Sequence, residues 1–291
     1  MPPIDSTPDP AHQLIALALE EDLADRGDVT SQLFIPCAHH STANIVTREA
    51  ICVAGTETAL AVFRTVDADL DIEILHHDGE HLASGLSLMS ISGSTRSILT
   101  AERTALNFLQ RLSGIATITA DYVKAVANSK AQVLDTRKTT PGWRALEKSA
   151  VVAGGGRNHR IGLYDAIMVK DNHLVAGGEP EDITAAVKQA RQQFSSITIE
   201  LEVDTLEQLD TYLKIPGIDV ILLDNMNPDM LSQAVTLRDQ VAPTIKLEAS
   251  GGITLDTISA VAASNVDFIS VGALTHSVRS VDLSLELQSH A

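Results

Sequence analysis

The chain has 291 residues, 44% hydrophobic and 20% charged, which suffices for a sizeable core in one large or two modest domains. A formal net charge of −17 excludes a nucleic-acid module, since polyanions are held by dense positive charge. Cys37 and Cys52 do not form a CxxC pair, so neither a disulfide framework nor a structural zinc site is indicated, and both thiols are expected to be buried or inert.

Aromatic residues make up only 3% of the chain, so the core has to be aliphatic, as in parallel α/β proteins. The lead MPPIDSTPDPAHQ has neither a basic nor an apolar leader region, and no apolar run reaches membrane-spanning length; a cytoplasmic protein is expected. The run HQLIALALEEDLADRGD then predicts a short amphipathic helix, stopped at Gly27-Asp28-Val29-Thr30. Between Ala43 and Ser97, short β-like runs (ANIVTRE, AICVAG, LDIEILHHDGE, SLMSISGSTRS) surround one helical piece, ETALAVFRTV, and predict a compact α+β or sandwich unit. Leu99 to Ser129 reads as long helix with a break at Gly114, and Leu106, Leu109, Leu112 and Ile115 form its core stripe.

From Lys130 onward, strand-length apolar runs alternate with helical segments: AQVLD, YDAIMVK, ITIELEV, IDVILLD, TIKLEAS and DFISVG. That rhythm predicts βαβ units and a parallel sheet, and without a GxGxxG turn an α/β barrel fits better than an open dinucleotide-binding sheet. Polar residues and a glycine stand at the strand ends: Thr136, Arg137 and Lys138, then Lys170, Glu200 and Glu202, Asp224, Ser250, and Gly272. In a barrel these ends share one face, where such folds carry out their chemistry.

The stretch Asp135 to His173 carries most of the local positive charge. From Arg137 to Lys170 there are seven basic residues against two acidic ones, while the remainder of the chain holds 14 and 36. A basic island in an acidic chain suggests a small anionic ligand. Small-residue turns at Ser250-Gly251-Gly252 and Val271-Gly272-Ala273 can bring backbone N–H groups close to a phosphate. Glu202 and Asp224 could hold ribose hydroxyls, a divalent metal such as Mg²⁺, or both. A phosphate seat, carboxylates and a separate cationic cluster together suggest two anionic substrates side by side. A Schiff-base lysine at Lys170, as in aldolases, is the enzymatic alternative. A non-catalytic phosphosugar-binding protein is the other.

The runs DTRKTTPGWR, GGGRNHRIGLYDAIMVKDNH, ELEV, ILLDNM, EASGGI and ISVGALTHS, with EEDLADRGDVTS and TAERTALNFLQRLSGIAT before them, resemble the quinolinate phosphoribosyltransferase family over about residues 14 to 282. The resemblance implies an incomplete α/β barrel of the type II phosphoribosyltransferase fold with an N-terminal α/β sandwich domain. The boundaries that follow are residues 1–115 for the sandwich, 116–275 for the barrel, and 276–291 for a tail that packs back on the first domain. It also implies the substrates quinolinate and phosphoribosyl pyrophosphate, the cofactor Mg²⁺, and a homo-oligomer, at least a dimer, with shared active sites. In this sequence it assigns quinolinate to Arg137, His159, Arg160 and Lys170, with Thr136 beside them and Arg103 arriving from a partner subunit. Lys138 serves the pyrophosphate end, and Glu202 and Asp224 the ribose and Mg²⁺, directly or through water. Ser250, Gly251, Gly252, Val271, Gly272 and Ala273 form the 5′-phosphate loops, and the catalytic set is Lys138, Lys170, Glu202 and Asp224. Whether His159 touches substrate or orients Arg160 stays open at this point.

Overall fold

The structure, a computed structural model, describes residues 10–170, 173 and 180–288. The Pro-rich lead up to Asp9, and Asp171 and Asn172 of the basic stretch, lie outside the described residues. Two units emerge. One comprises residues 1–120, 139–155 and 274–291, the other residues 121–138 and 156–273.

In the first unit, Ile15 and Leu19, one helical turn apart, are the buried residues of Pro10–Leu23 (α1). Asp28 then starts a second helix, Val29–Phe34 (α2), because its side chain accepts the Ser31 N–H at 2.9 Å. The expected stop at Gly27–Thr30 is therefore also a start. Strand His40–Thr47 (β1) follows, then the two-residue strand Ile51–Cys52 (β2) and the amphipathic helix Thr56–Val66 (α3). Asp71–Ile74 (β3), His81–Leu82 (β4) and Ser87–Ser94 (β5) complete the β-rich region. An antiparallel sheet forms from β3, β5, β1 and the strand Leu283–Leu287, whose Leu285 lies opposite Ile45.

The sequence predicts a break at Gly114, but Thr95–Ala125 (α4) is one continuous helix. Gly114 serves close approach instead: a Cβ there would lie 2.3 Å from the Arg279 carbonyl oxygen, where the C-terminal segment crosses the helix. Leu106, Leu109, Leu112 and Ile115 are all buried, as their spacing predicts. Burying a leucine of this kind contributes about 2 kcal/mol. Phe108 stacks on Trp143 with ring centroids 4.7 Å apart, just ahead of the helix Arg144–Ala153. Cys52 is buried, and burial pushes its thiol up to about 11, which makes it inert. Cys37, expected to be buried or inert, is exposed because it lies in the surface turn closed by His39 N–H to the Pro36 carbonyl.

The second unit is built on six parallel strands: Gln132–Leu134 (β6), Ala166–Val169 (β7), Thr198–Val203 (β8), Val220–Asp224 (β9), Lys246–Ser250 (β10) and Phe268–Ser270 (β11). Their order is β6-β11-β10-β9-β8-β7. Every strand pair is parallel, and β6 and β7 occupy opposite edges. The order is that of a barrel opened between its first two strands, an incomplete barrel. Helices Pro180–Gln193, Leu206–Tyr212, Pro228–Val241 and Leu255–Ala263 follow β7 to β10. Thr205 and Asn227 cap two of them through their side chains, and Pro228 occupies the first turn, where it loses no hydrogen bond. Among the described residues no helix is long and apolar enough to cross a membrane.

Asp267, at the start of β11, anchors the end of this sheet remote from the strand C-termini. Its carboxylate accepts from Arg238 Nη1 at 2.8 Å, Lys246 Nζ and Lys130 Nζ at 3.2 Å, and the Leu247 N–H at 3.1 Å. Burial alone would raise the Asp267 pKa, but these donors hold it well below the usual carboxylate range. A depressed folded pKa stabilises the fold above the unfolded value near 3.8, and the benefit is lost as pH falls below it. Asp267→Asn should cost about 3 kcal/mol at pH 7, because it leaves the buried Arg238 guanidinium short of a partner. Urea unfolding of both chains at pH 7 and at pH 3 checks this, with the gap between them narrowing at the lower pH.

Candidate active site

Side chains two apart on a strand share a face, and all six strands run the same way, so their C-terminal ends gather at one place. Met168 and Lys170, Leu222 and Asp224, Glu248 and Ser250, with Glu202 and Ser270, line one cavity of 570 Å³. Thr136, Arg137, Lys138, His159, Arg160, Asn225, Gly251 and Gly252 complete its wall. Between them lie Leu201, Leu223, Ala249 and Ile269, all buried, which form the alternate set along the same strands.

The cationic side is assembled at the β6 edge. Residue 157 runs parallel beside Leu134: Arg157 N–H donates to the Val133 carbonyl at 2.9 Å, and Asp135 N–H to the Arg157 carbonyl at 3.1 Å. Asp135, fully buried, then accepts the His159 N–H at 2.8 Å. This pairing carries Arg160 to the cavity beside Arg137. Burial and the Arg137 charge both lower the Arg160 pKa, the mark of two guanidiniums held close together. Thr136 Oγ1 accepts the Lys138 N–H at 3.0 Å and turns the chain after β6. Asp165 closes the following loop by accepting the N–H groups of Ile161 and Gly162.

Below this wall, His159 Nε2 lies 3.0 Å from Glu200 and 3.4 Å from Glu248, both carboxylates being buried. Burial opposes charge on the ring, but the two carboxylates outweigh it and raise the His159 pKa to about 10. Burial and Glu248 raise Glu200 as well. Both shifts mean that the cluster keeps a proton that the separate groups would lose. The Arg160 N–H donates to His159 Nδ1 at 2.7 Å and needs a lone pair there. The ring proton therefore sits on Nε2, facing the two carboxylates.

Across the cavity, Lys170 Nζ donates to Glu202. Burial, Glu202 and Asp204 raise the Asp224 carboxyl against the pull of Lys170 and Lys138. Asp224, raised in this way, and Glu202 together offer hard carboxylate oxygens of the kind that suit a divalent cation. Asn225, in the left-handed region at φ 54°, donates its side-chain N–H to Asp224 at 2.6 Å and its backbone N–H to the Ser250 carbonyl at 2.8 Å. The turns after β9 and β10 are thereby locked together.

Eleven sequence-predicted residues line this cavity: Thr136, Arg137, Lys138, His159, Arg160, Lys170, Glu202, Asp224, Ser250, Gly251 and Gly252. Val271, Gly272 and Ala273 are not among its lining residues; Val271 is buried, and its N–H donates to the Leu134 carbonyl at 2.9 Å. Arg103 belongs to the first unit, where its side chain is 61% exposed and 3.9 Å from Glu102. Asn225, Glu248 and Ser270 went unassigned in the sequence. The period-2 alternation back from Ser250 would have found Glu248.

The second unit thus has the architecture of an open-barrel enzyme whose strand ends present cations and carboxylates to one cavity. The family model described as "Quinolinate phosphoribosyl transferase, C-terminal domain" matches residues 115–286, and the corresponding N-terminal domain matches residues 28–113. A nicotinate-nucleotide pyrophosphorylase (carboxylating) of Mycobacterium leprae is 44% identical over 281 residues, covering 96% of this chain and 98% of that protein. The chloroplastic protein of that name from Arabidopsis thaliana is 40% identical over 291 residues, covering 95% and 82%. A solved nicotinate-nucleotide pyrophosphorylase from Francisella tularensis superposes with a TM-score of 0.89 at 39% identity, covering 98% of this chain and 99% of that one. The chain belongs to the quinolinate phosphoribosyltransferase family.

Gly251 has φ 98°, and a Cβ there would lie 2.1 Å from Asn225 Oδ1. Gly251→Ala should lower stability by about 2 kcal/mol through the left-handed backbone alone. Chemical denaturation reads this directly, and an unchanged midpoint would mean that the backbone at residue 251 carries no such strain.

Proposed function

We infer that this chain transfers a phosphoribosyl group from phosphoribosyl pyrophosphate to quinolinate with loss of CO₂, forming nicotinate mononucleotide and pyrophosphate for NAD biosynthesis. The observation that carries this reading beyond family membership is the convergence of Arg137 and Arg160 on one cavity that also holds Lys170. Two like charges held together suit a small dianion, and planar guanidiniums suit carboxylates.

In this reading Arg137, Arg160 and Lys170 hold the two quinolinate carboxylates, with Thr136 and His159 beside them. Ser250, Gly251 and Gly252 receive the 5′-phosphate, and Lys138 the pyrophosphate. Glu202 and Asp224 bind the ribose hydroxyls and would hold Mg²⁺, which when bound neutralises charge on the departing pyrophosphate. The ring nitrogen forms its bond to the ribose C1 as the bond from C1 to pyrophosphate breaks. The bond from C2 to the carboxylate then breaks, CO₂ leaves, and the electron pair left on C2, stabilised by the neighbouring pyridinium nitrogen, takes up a proton. The residues have only to position the two anions and balance their charge. Lys170 is engaged with Glu202 rather than set in an apolar pocket, which does not favour a Schiff-base role. The exposed Arg103 is read as completing the site of a second copy in a homodimer. Two free cysteines, one of them exposed, suit the reducing cytoplasm.

The direct test is quinolinate-dependent release of CO₂ and pyrophosphate in the presence of Mg²⁺; absence of both products would end the reading. Arg137→Ala should raise the quinolinate KM and lower kcat/KM about a hundredfold or more, as expected for loss of a charge-assisted bidentate contact. Subunit sharing has its own readout. Equal amounts of inactive Arg103→Ala and Arg137→Ala chains, allowed to exchange subunits, should recover about a quarter of wild-type activity, because half the dimers carry one intact site. No recovery would place Arg103 in its own chain's site.

A further inference from the structure

Two buried carboxylates, Glu200 and Glu248, have no part in the chemistry set out above. They are 2% and 1% exposed, on strands separated by β9. Each keeps one oxygen, Oε1, without a hydrogen-bond partner among the described residues. Groups so buried are costly to keep unless they serve a purpose. Their other oxygens converge on His159 Nε2, at 3.0 and 3.4 Å. His159 in turn accepts the Arg160 N–H at Nδ1, and its own N–H donates to Asp135. Both ring nitrogens are thus committed within the protein, and the imidazole ties an edge loop to two strands in the middle of the sheet.

Resting on the substrate assignment above, we propose that Glu200 and Glu248 are positioning residues that act through His159, anchoring residues 157–160 so that the Arg160 guanidinium stays at the cavity beside Arg137. Bringing two guanidiniums together is unfavourable, and a loop pinned only along β6 could relax by swinging Arg160 away. Pinning His159 at Nδ1, at Nε2 and at its backbone N–H removes that freedom. The charge of Glu200 also acts on Arg160 in the favourable sense. A divalent cation is the rival occupant of the cluster, since the three ligand atoms lie within 4.8 Å of one another. The Arg160 N–H at Nδ1 and the Nε2 proton directed at the carboxylates favour the hydrogen-bonded strut.

The test uses the full chain and varies the two substrates separately. Glu248→Ala should raise the quinolinate KM about tenfold or more and leave the phosphoribosyl pyrophosphate KM within about twofold. Glu248→Gln keeps an acceptor for Nε2–H and should restore the quinolinate KM to within about threefold of wild type. His159→Ala should show the same defect, and adding Glu248→Ala to it should cost less than about twofold more, since both act through one contact. Multiplicative effects in the double variant, equal rises in both KM values, or stoichiometric metal retained after chelation would overturn the proposal. Where Glu248→Ala does not fold, His159→Ala decides: an unchanged quinolinate KM sinks the strut. Wild-type turnover separates the two readings, because its absence removes the function itself, whereas its presence with insensitive variants removes only the positioning role.

Discussion

The placement of the Arg137 and Arg160 guanidiniums at one cavity is the constraint that the edge of the second unit has to meet. Neither arginine would choose the other's company in water, and burial makes the pairing worse by weakening solvent screening. The chain answers with backbone geometry. Residue 157 pairs beside β6, Asp135 fixes the next turn, and His159 reaches under the wall to Glu200 and Glu248.

The parallel sheet makes that arrangement possible by separating two tasks along the same strands. At the C-terminal ends, alternate residues point charged and polar groups into the cavity, and the residues between them pack away as aliphatic core. At the other end, Asp267 gathers Arg238, Lys246 and Lys130 into one ion network. Stability at one end and chemistry at the other leave the site free to hold groups that a purely structural sheet would not tolerate, among them the neighbouring carboxylates Glu202 and Asp224.

Much of this was legible in the sequence, for a physical reason. Buried parallel strands read as short apolar runs, so the six runs from AQVLD to DFISVG and the polar residues ending them marked both the sheet and its working face. What the sequence hid depended on contacts between distant segments. Gly114 looked like a helix break, yet the residue it accommodates, Arg279, lies far along the chain. Within Val271-Gly272-Ala273, the Val271 N–H is taken by the Leu134 carbonyl, a hydrogen bond that exists only once β11 lies beside β6. Glu248 sat inside a recognised motif, and its partner His159 comes from an edge loop that no periodicity announces.

The antiparallel sheet of the first unit places Leu283–Leu287 beside β1, and the Arg279 segment crosses α4 at Gly114. During synthesis, β1 is therefore made early and stays an open edge until nearly all of the other strands have emerged. The parallel strands of the second unit come off the ribosome in the interval, so that unit can assemble first while the first waits for its closing strand. Until it is closed, the edge of β1 presents unpaired backbone N–H and carbonyl groups that another chain could pair with.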